Sequence, residues 1–475
     1  MRLEVLRIVL LATTLAAITG CQKDFLEKPP TSNPAVQTYV TDINSSYEYL
    51  NGIYVDLSQS FAKAENTIYA DLVADNVKPI SGGSMLIPHY SYAQVASEAD
   101  NTVIGGGNMN NLWYGCYKIA RNCSFLIENV NQYRAENPDM ADEIIGQAYA
   151  IRALVYHQLV NVFAQPYAYT ADASHPGIPY ITVSDYKQPV NGRNTVAEVY
   201  AMLAEDLGNA IALLPEHPQT PAVHMDATAA KALLARVYLF KGNYAAAKNL
   251  SASLARNNVL LTGADYPSQL FADASSSEAL FYLPPESESY STNFSSYYYR
   301  SYIQFLATAD IAGILTEDTA DSRAAWVNLS GEDWNITKFP VAAVPGITNP
   351  ATAYYHPVIR SAEMFLTAAE AYVQLGNEDS ARYFLDAVRM RANPNVPPVT
   401  AGGEALLEMV RKERRKELAF EGFRMFDLLR TRKGVERKDV LAPAPTGLPF
   451  PNDRAIAPID QSDVNYYGLP QNKSY

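Results

Sequence analysis

Six histidines, at positions 89, 157, 175, 217, 224 and 356, are the side chains best suited to acid–base work near neutral pH. No two of them lie four residues apart, and no HExxH pair is present to hold zinc on one helical face. The chain has no CxxC, no G-x-S-x-G and no phosphate loop. Gly105-Gly106-Gly107 lacks the terminal Gly-Lys-Ser/Thr and reads as a turn. Acid pairs occur at Glu317-Asp318 and Glu332-Asp333. A two-carboxylate hydrolase needs its acids set across the substrate at a defined separation, roughly 5–10 Å. Adjacency in sequence does not supply that. No catalytic residue, no cofactor and no built metal centre is expected, with calcium on an acidic loop left open.

The one residue placed for covalent modification is Cys21. Arg2 and Arg7 precede an apolar run from Ile8 to Ala17, and Ile18-Thr19-Gly20 leads into the cysteine. A basic start, a short apolar stretch and small residues make a secretory signal. The run is too short to cross a bilayer, which takes roughly 18 apolar residues. The step from small residues straight into cysteine resembles a bacterial lipoprotein box, so residues 1–20 are expected to be removed and Cys21 lipidated. Residues 21–35 are polar and carry prolines, which suits a tether.

Charge and composition narrow the remaining classes. A net charge of −13 argues against a nucleic-acid groove, and 48% hydrophobic residues suffice for a large core. Cys116 and Cys123 lie in a helical stretch, about 10 Å apart at helical rise. A disulfide reaches about 7 Å, so both read as buried thiols.

The elements that must carry these residues are mostly helices. Tyr47, Leu50 and Tyr54 mark the first, followed by helices over 110–130 and 141–162. Asn194-Thr195 with Glu198 signals a helix start that runs to Leu214. Two segments then share one pattern: Tyr238-x3-Gly242-x4-Ala247 and Tyr372-x3-Gly376-x4-Ala381. Each reads as helix, glycine turn and helix with a small residue at the contact, similar to a tetratricopeptide repeat. Between them, residues 262–355 show no helical period. The expected architecture is mainly α: a tetratricopeptide-like helix-pair scaffold carrying an irregular, loop-rich ligand-binding lobe. Its divisions are 36–270 (N-terminal helical scaffold) and 271–475, the latter split into a lobe (271–355), helices (356–435) and an irregular tail (436–475).

Residues 410–430, VRKERRKELAFEGFRMFDLLR, read as one charged helix studded with Phe420, Phe423 and Phe426. Arg414 is expected to meet Glu417 one turn on. With Glu421 and Arg424 set in aromatic surroundings, a structural ion-pair network is favoured over a ligand site. The segment resembles the E-R-R-x-E-L-A-F-E-G-x-R-x-F-D-L-x-R fingerprint of the SusD/RagB family of outer-membrane nutrient-binding lipoproteins, matching at Glu413, Arg414, Arg415, Glu417, Leu418, Ala419, Phe420, Glu421, Gly422, Arg424, Phe426, Asp427, Leu428 and Arg430. Trp113, Tyr117, Ile119 and Asn122 fit the family's W-x3-Y-x-I-x2-N pattern, and residues 358–376, 229–247 and the C-terminal tail resemble further family segments. Two positions depart from it: Gln147 stands for a usual glutamate, and Ala164 for a usual glycine.

The resemblance implies a lipid-anchored outer-membrane protein facing the cell exterior. It would bind a glycan, or in some members a peptide, beside a SusC-like TonB-dependent transporter. A pure interaction scaffold is the remaining alternative. The composition suits a glycan, because tyrosine (33 residues, against 16 Phe and 3 Trp) offers a flat apolar face with a polar tip. The candidate ligand residues are Tyr290, Asn293, Tyr297, Tyr298, Tyr299, Trp326 and Trp334 in the long irregular region, with Tyr90 and Tyr92 in an earlier loop.

Overall fold

The computed structural model describes residues 39–61, 63–82, 84–97, 109–216, 222–258, 260–262, 266, 270, 278–284, 298, 303–339 and 356–475. The signal sequence, Cys21 and the tether lie outside these residues, as do Tyr290, Asn293, Tyr297 and Tyr299.

The longer helices, in chain order, are α1 (Ile43–Phe61), α2 (Asn110–Asn129), α3 (Pro138–Phe163), α4 (Val196–Leu213), α5 (Ala227–Lys241), α6 (Tyr244–Asn257), α7 (Ala309–Leu315), α8 (Ser361–Gln374), α9 (Glu378–Ala392), α10 (Gly403–Glu417), α11 (Arg424–Arg430) and α12 (Gln461–Tyr467). Each of α1 to α5 packs on the next, α6 packs on α8, and α8 packs on α9 and α10. The two glycine-turn repeats, 134 residues apart in sequence (Tyr238 to Tyr372), are therefore neighbours in space. The helical array is continuous, and the intervening segment loops out of it as the lobe.

Local chemistry explains the helix ends. Thr195 caps α4 with a full capping box, its side chain accepting from Glu198 N while Glu198 accepts from Thr195 N. Both repeat turns use one device: Gly242 (φ +76°) and Gly376 (φ +74°) take the left-handed conformation, and the following Asn243 or Asn377 caps the next helix. Ala247 and Ala381 are buried where the paired helices meet. Cys116 and Cys123 are free and buried on α2. Gln147 bonds Tyr54 Oη at 2.6 Å and Glu143 at 2.9 Å, so the departure from the family's glutamate still joins α3 to α1.

The lobe is more regular than its sequence suggests. Its entry strand β2 (Ala279–Leu283) pairs antiparallel with its exit strand β6 (His356–Arg360). A four-stranded antiparallel sheet joins β1 (Val77–Pro79), β3 (Phe305–Ala307), β5 (Asp333–Ile336) and β4 (Val327–Ser330), in that order. A second hydrophobic core fills the lobe with Tyr298, Phe305, Trp326, Phe339 and Phe420. It also takes Ile68, Leu72 and Tyr90 from a segment that the sequence assigns to the N-terminal scaffold. The tail likewise carries structure: short strands β7 (Val435–Glu436) and β8 (Gly447–Leu448), then α12.

Residues 410–430 do not form one helix. The chain breaks between α10 and α11, where Phe420 (φ +67°) and Gly422 (φ +81°) turn left-handed. The break is held by Asp71, which accepts from Gly422 N at 2.7 Å and Phe420 N at 3.4 Å. A Cβ on Gly422 would lie 3.0 Å from the Thr67 carbonyl oxygen, whereas one on Gly242 would meet open space. Gly422→Ala is expected to cost about 1–3 kcal/mol. Gly242→Ala should cost less, about 1 kcal/mol. Urea unfolding of the two variants measures the difference, and equal losses would show that the Thr67 contact relaxes freely.

Candidate functional site

Where α10 meets the lobe, charged side chains are buried together. Glu417 is fully buried and contacts Arg360 Nη1 at 2.7 Å, Arg391 Nη2 at 2.6 Å and Arg323 Nη1 at 3.0 Å. Glu421 holds Arg360 Nη2 at 2.7 Å and Lys338 Nζ at 2.6 Å. Lys338 also donates to the carbonyl oxygens of Glu417 and Ala419, each at 2.9 Å. Glu278 pairs with Arg391, and Glu413 with Arg323 at 2.6 Å. Asp321 receives Arg323 at 2.8 Å and Lys416 at 2.9 Å. Arg323, Lys338, Arg360, Arg391 and Lys416 thus face Glu278, Asp321, Glu413, Glu417 and Glu421, so the formal charge cancels.

The partners come from every part of the frame: Glu278 and Arg360 from beside β2 and on β6, Arg391 from α9, Glu413 and Glu417 from α10, and Arg323 and Lys338 from the lobe. Burial pushes the Glu417 carboxyl up, but Arg391, Arg360 and Arg323 outweigh it and hold it well below the usual carboxylate range. Glu421 is depressed in the same way, by Arg360 and Lys338 against burial. Glu278 goes the other way, raised by burial despite Arg391 and Arg360. Every acid here already holds a cation, so the cluster is a weld between elements and not a vacant site.

Arg414 does not pair with Glu417, as the spacing suggests. Both lie on α10, but Arg414 turns to Asp427 at 2.9 Å while Glu417 is taken by Arg323, Arg360 and Arg391. Arg430 shares Asp427 at 2.7 Å and holds Glu370 at 2.7 Å. Arg236 pairs with Glu363 at 2.6 Å, and Phe423 lies beneath the guanidinium groups of both Arg236 and Arg414. Arg424 bonds Asp75 at 2.6 Å, tying α11 to the segment before β1.

Four of the candidate ligand residues are core. Tyr90 and Tyr92 are buried with Arg437 over both rings, at 4.3 and 4.7 Å from the centroids. The Tyr90 hydroxyl accepts from Leu441 N, and that of Tyr92 donates to the Val73 carbonyl at 2.7 Å. Tyr298 is buried and stacked on Phe339, and Trp326 is buried beneath Lys338 Nζ at 3.9 Å. None of the four offers a free ring face, because a small lobe needs large apolar side chains to fill its centre. Trp334 is different: it is half-buried on β5 beside the exposed Leu329. Tyr290, Asn293, Tyr297 and Tyr299 lie outside the described residues. Among those described, no group of three or more His, Cys, Asp or Glu side chains is placed to hold a metal ion.

The structure also exposes aromatic rings that the sequence does not single out, notably Tyr114 on α2 and Tyr466 and Tyr467 at the end of α12. Trp113, next to Tyr114, belongs to a family motif and is structural: its indole N–H donates to Asp463 Oδ2 at 2.7 Å, fastening the tail to α2.

Comparison with known proteins places this arrangement. A family model described as starch-binding and associating with the outer membrane matches residues 24–239, and the SusD family model matches residues 315–467. The chain belongs to the SusD/RagB family. It is 25% identical to SusD-like protein P2 of Formosa agariphila, over 89% of this chain and 90% of that one. A SusD-like protein of Bacteroides ovatus is 22% identical, over 89% and 82% of the two chains. The fold superposes on a putative sugar binding protein from Bacteroides vulgatus with a TM-score of 0.81 and 26% identity, covering 92% of this chain and 99% of the other. A SusD superfamily protein from Bacteroides thetaiotaomicron gives 0.80 and 25%, covering 91% and 100%. At family level the chain is a nutrient-binding, outer-membrane-associated protein of a generally non-catalytic class. No helix among the described residues is long and apolar enough to cross a membrane.

Removing one partner from a buried pair typically costs about 3–5 kcal/mol, and Glu417→Gln is expected to lose stability in that range. The network also sets a pH dependence. Glu417, Glu421, Asp427 and Asp321 (about 2) have folded pKa values below the unfolded ones. Their contribution is complete above the ordinary carboxylate range and is lost as pH falls through the folded values. Urea midpoints should change little from these groups between pH 7 and 5.5 and drop steeply below about pH 4. The Glu417→Gln protein should start lower and fall less steeply.

Proposed function

We propose that this chain is a lipoprotein anchored through Cys21 on the outer face of the outer membrane. It binds an oligosaccharide or polysaccharide nutrient and passes it to a SusC-like TonB-dependent transporter. The observation that carries the reading is the end-to-end match in fold, at 26% identity, to a putative sugar binding protein. The rigid array and its charge weld leave the lobe as the part with side chains free to vary around a ligand. Its ring platforms are Tyr297, Tyr299 and Tyr290 with the half-buried Trp334, and Asn293 supplies hydrogen bonds to hydroxyl groups. A sugar's apolar C–H face stacks on such rings while its edge keeps polar partners.

The anchor completes the mechanism. One acyl chain holds a protein only marginally, and a multiply acylated cysteine holds it stably. The tether over residues 21–35 then keeps the binding body within reach of its pore.

Isothermal titration of the mature protein with a panel of neutral and acidic glycans is expected to show binding without turnover. Trp334→Ala should weaken it at least tenfold. Silence towards all glycans, with binding to oligopeptides, would move the chain to the peptide-binding members of the family. In cells, Cys21→Ala should shift the protein out of the membrane fraction, and protease added to intact cells should digest the wild-type body. Full protection would contradict the outward orientation.

A further inference from the structure

A groove of about 210 Å³ lies between α2 and the C-terminal tail, and none of its lining residues belongs to the lobe. Its walls include Tyr114, 47% exposed, and Tyr467, 36% exposed. The Tyr114 ring is held in place, because its hydroxyl donates to Asp460 Oδ1 at 3.0 Å. Tyr467 is braced edge-on by Tyr466, with ring centroids 4.8 Å apart at 84°. Fixed aromatic faces opening on a groove suit a flat ligand with an apolar face.

Polar groups line the same groove. Asp463 has one carboxylate oxygen committed to the Trp113 indole, which leaves Oδ1 as an acceptor. Arg121 also lines the groove, and its Nη1 is buried without a hydrogen-bond partner. Lys118, at the rim, is paired with Asp56 at 2.8 Å. Lys118 and Arg121 face Asp56, Asp463 and the Asp460 that holds Tyr114, a balance that does not favour an acidic sugar.

We propose that this groove is a second carbohydrate site, taking one neutral hexopyranose unit. The ring's C–H face packs on Tyr114 and Tyr467, and its hydroxyl groups donate to Asp463 and accept from Arg121. The volume suits one ring, so the groove grips a single unit of a longer glycan while the lobe holds another stretch. Two modest sites on one polymer raise overall affinity through effective concentration.

This proposal rests on the reading of the chain as a carbohydrate binder, and the test separates the two. The purified mature protein, Tyr467→Ala, Arg121→Met and Trp334→Ala are titrated with neutral hexose oligosaccharides (gluco-, manno- and galacto-configured) and with an oligogalacturonate. Wild-type protein is expected to show two binding events with at least one neutral glycan. Tyr467→Ala and Arg121→Met should each weaken one event at least tenfold and leave the other, while Trp334→Ala does the reverse. Tyr467 is exposed at a helix end, so an unchanged thermal midpoint checks that Tyr467→Ala folds. If both groove variants keep wild-type affinity and stoichiometry, the groove is not a sugar site and the broader reading stands. If only oligogalacturonate binding responds to them, the neutral assignment is overturned. If wild-type protein binds no glycan at all, both readings fail.

Discussion

Glu417 is the residue around which the molecule closes. A carboxylate buried without partners would cost several kcal/mol. Here it is surrounded by Arg323, Arg360 and Arg391, which arrive from the lobe, from the strand leaving the lobe and from α9. Each of these cations is itself buried and needs the same acids. The group is satisfied only when all its elements are in register, so it acts as a geometric lock more than as a source of net stability. The break after α10 is held separately, by Asp71 accepting from the Phe420 and Gly422 N–H groups.

That lock reconciles two features of the chain. The helical array is one continuous stack in space, yet its sequence is interrupted by the lobe between α6 and α8. An insertion held only at its ends would be free to reorient. Here its entry and exit strands pair with each other, and Glu278 and Arg360 at that point join the buried cluster. Arg323 and Lys338 carry the same weld into the lobe's interior. A binding surface on the lobe is thereby fixed relative to the helices.

What the sequence discloses is what local chemistry decides. The Gly-Asn turns of both repeats, the Thr195–Glu198 capping box and the buried thiols on α2 follow from neighbours a few positions apart. The structural character of the C-terminal charged segment is legible too, because so many charges among phenylalanines must be paired. Its partners are not: Arg414 and Glu417 share α10, yet Glu417 is taken by Arg323, Arg360 and Arg391 from other elements. The lobe's strands are three to five residues long, too short for an alternating pattern to stand out. Whether a tyrosine in such a region is core or surface depends on distant residues. Tyr298 meets Phe339 and Phe420, and Tyr90 meets Arg437. The groove is hidden for the same reason: its walls come from α2, from Pro179 to Val190 and from Asp463 to Leu469.

The charge cluster frames the molecule, and ligand binds elsewhere. Amide hydrogen exchange of the mature protein, with and without a glycan it binds, tests this most directly. Residues 413–424 are expected to be among the slowest to exchange in the free protein and to stay unchanged on binding. New protection should appear on the lobe around Trp334 and on the Tyr114–Tyr467 groove. Ligand-induced protection centred on residues 413–424, with the lobe and groove unaffected, would contradict it.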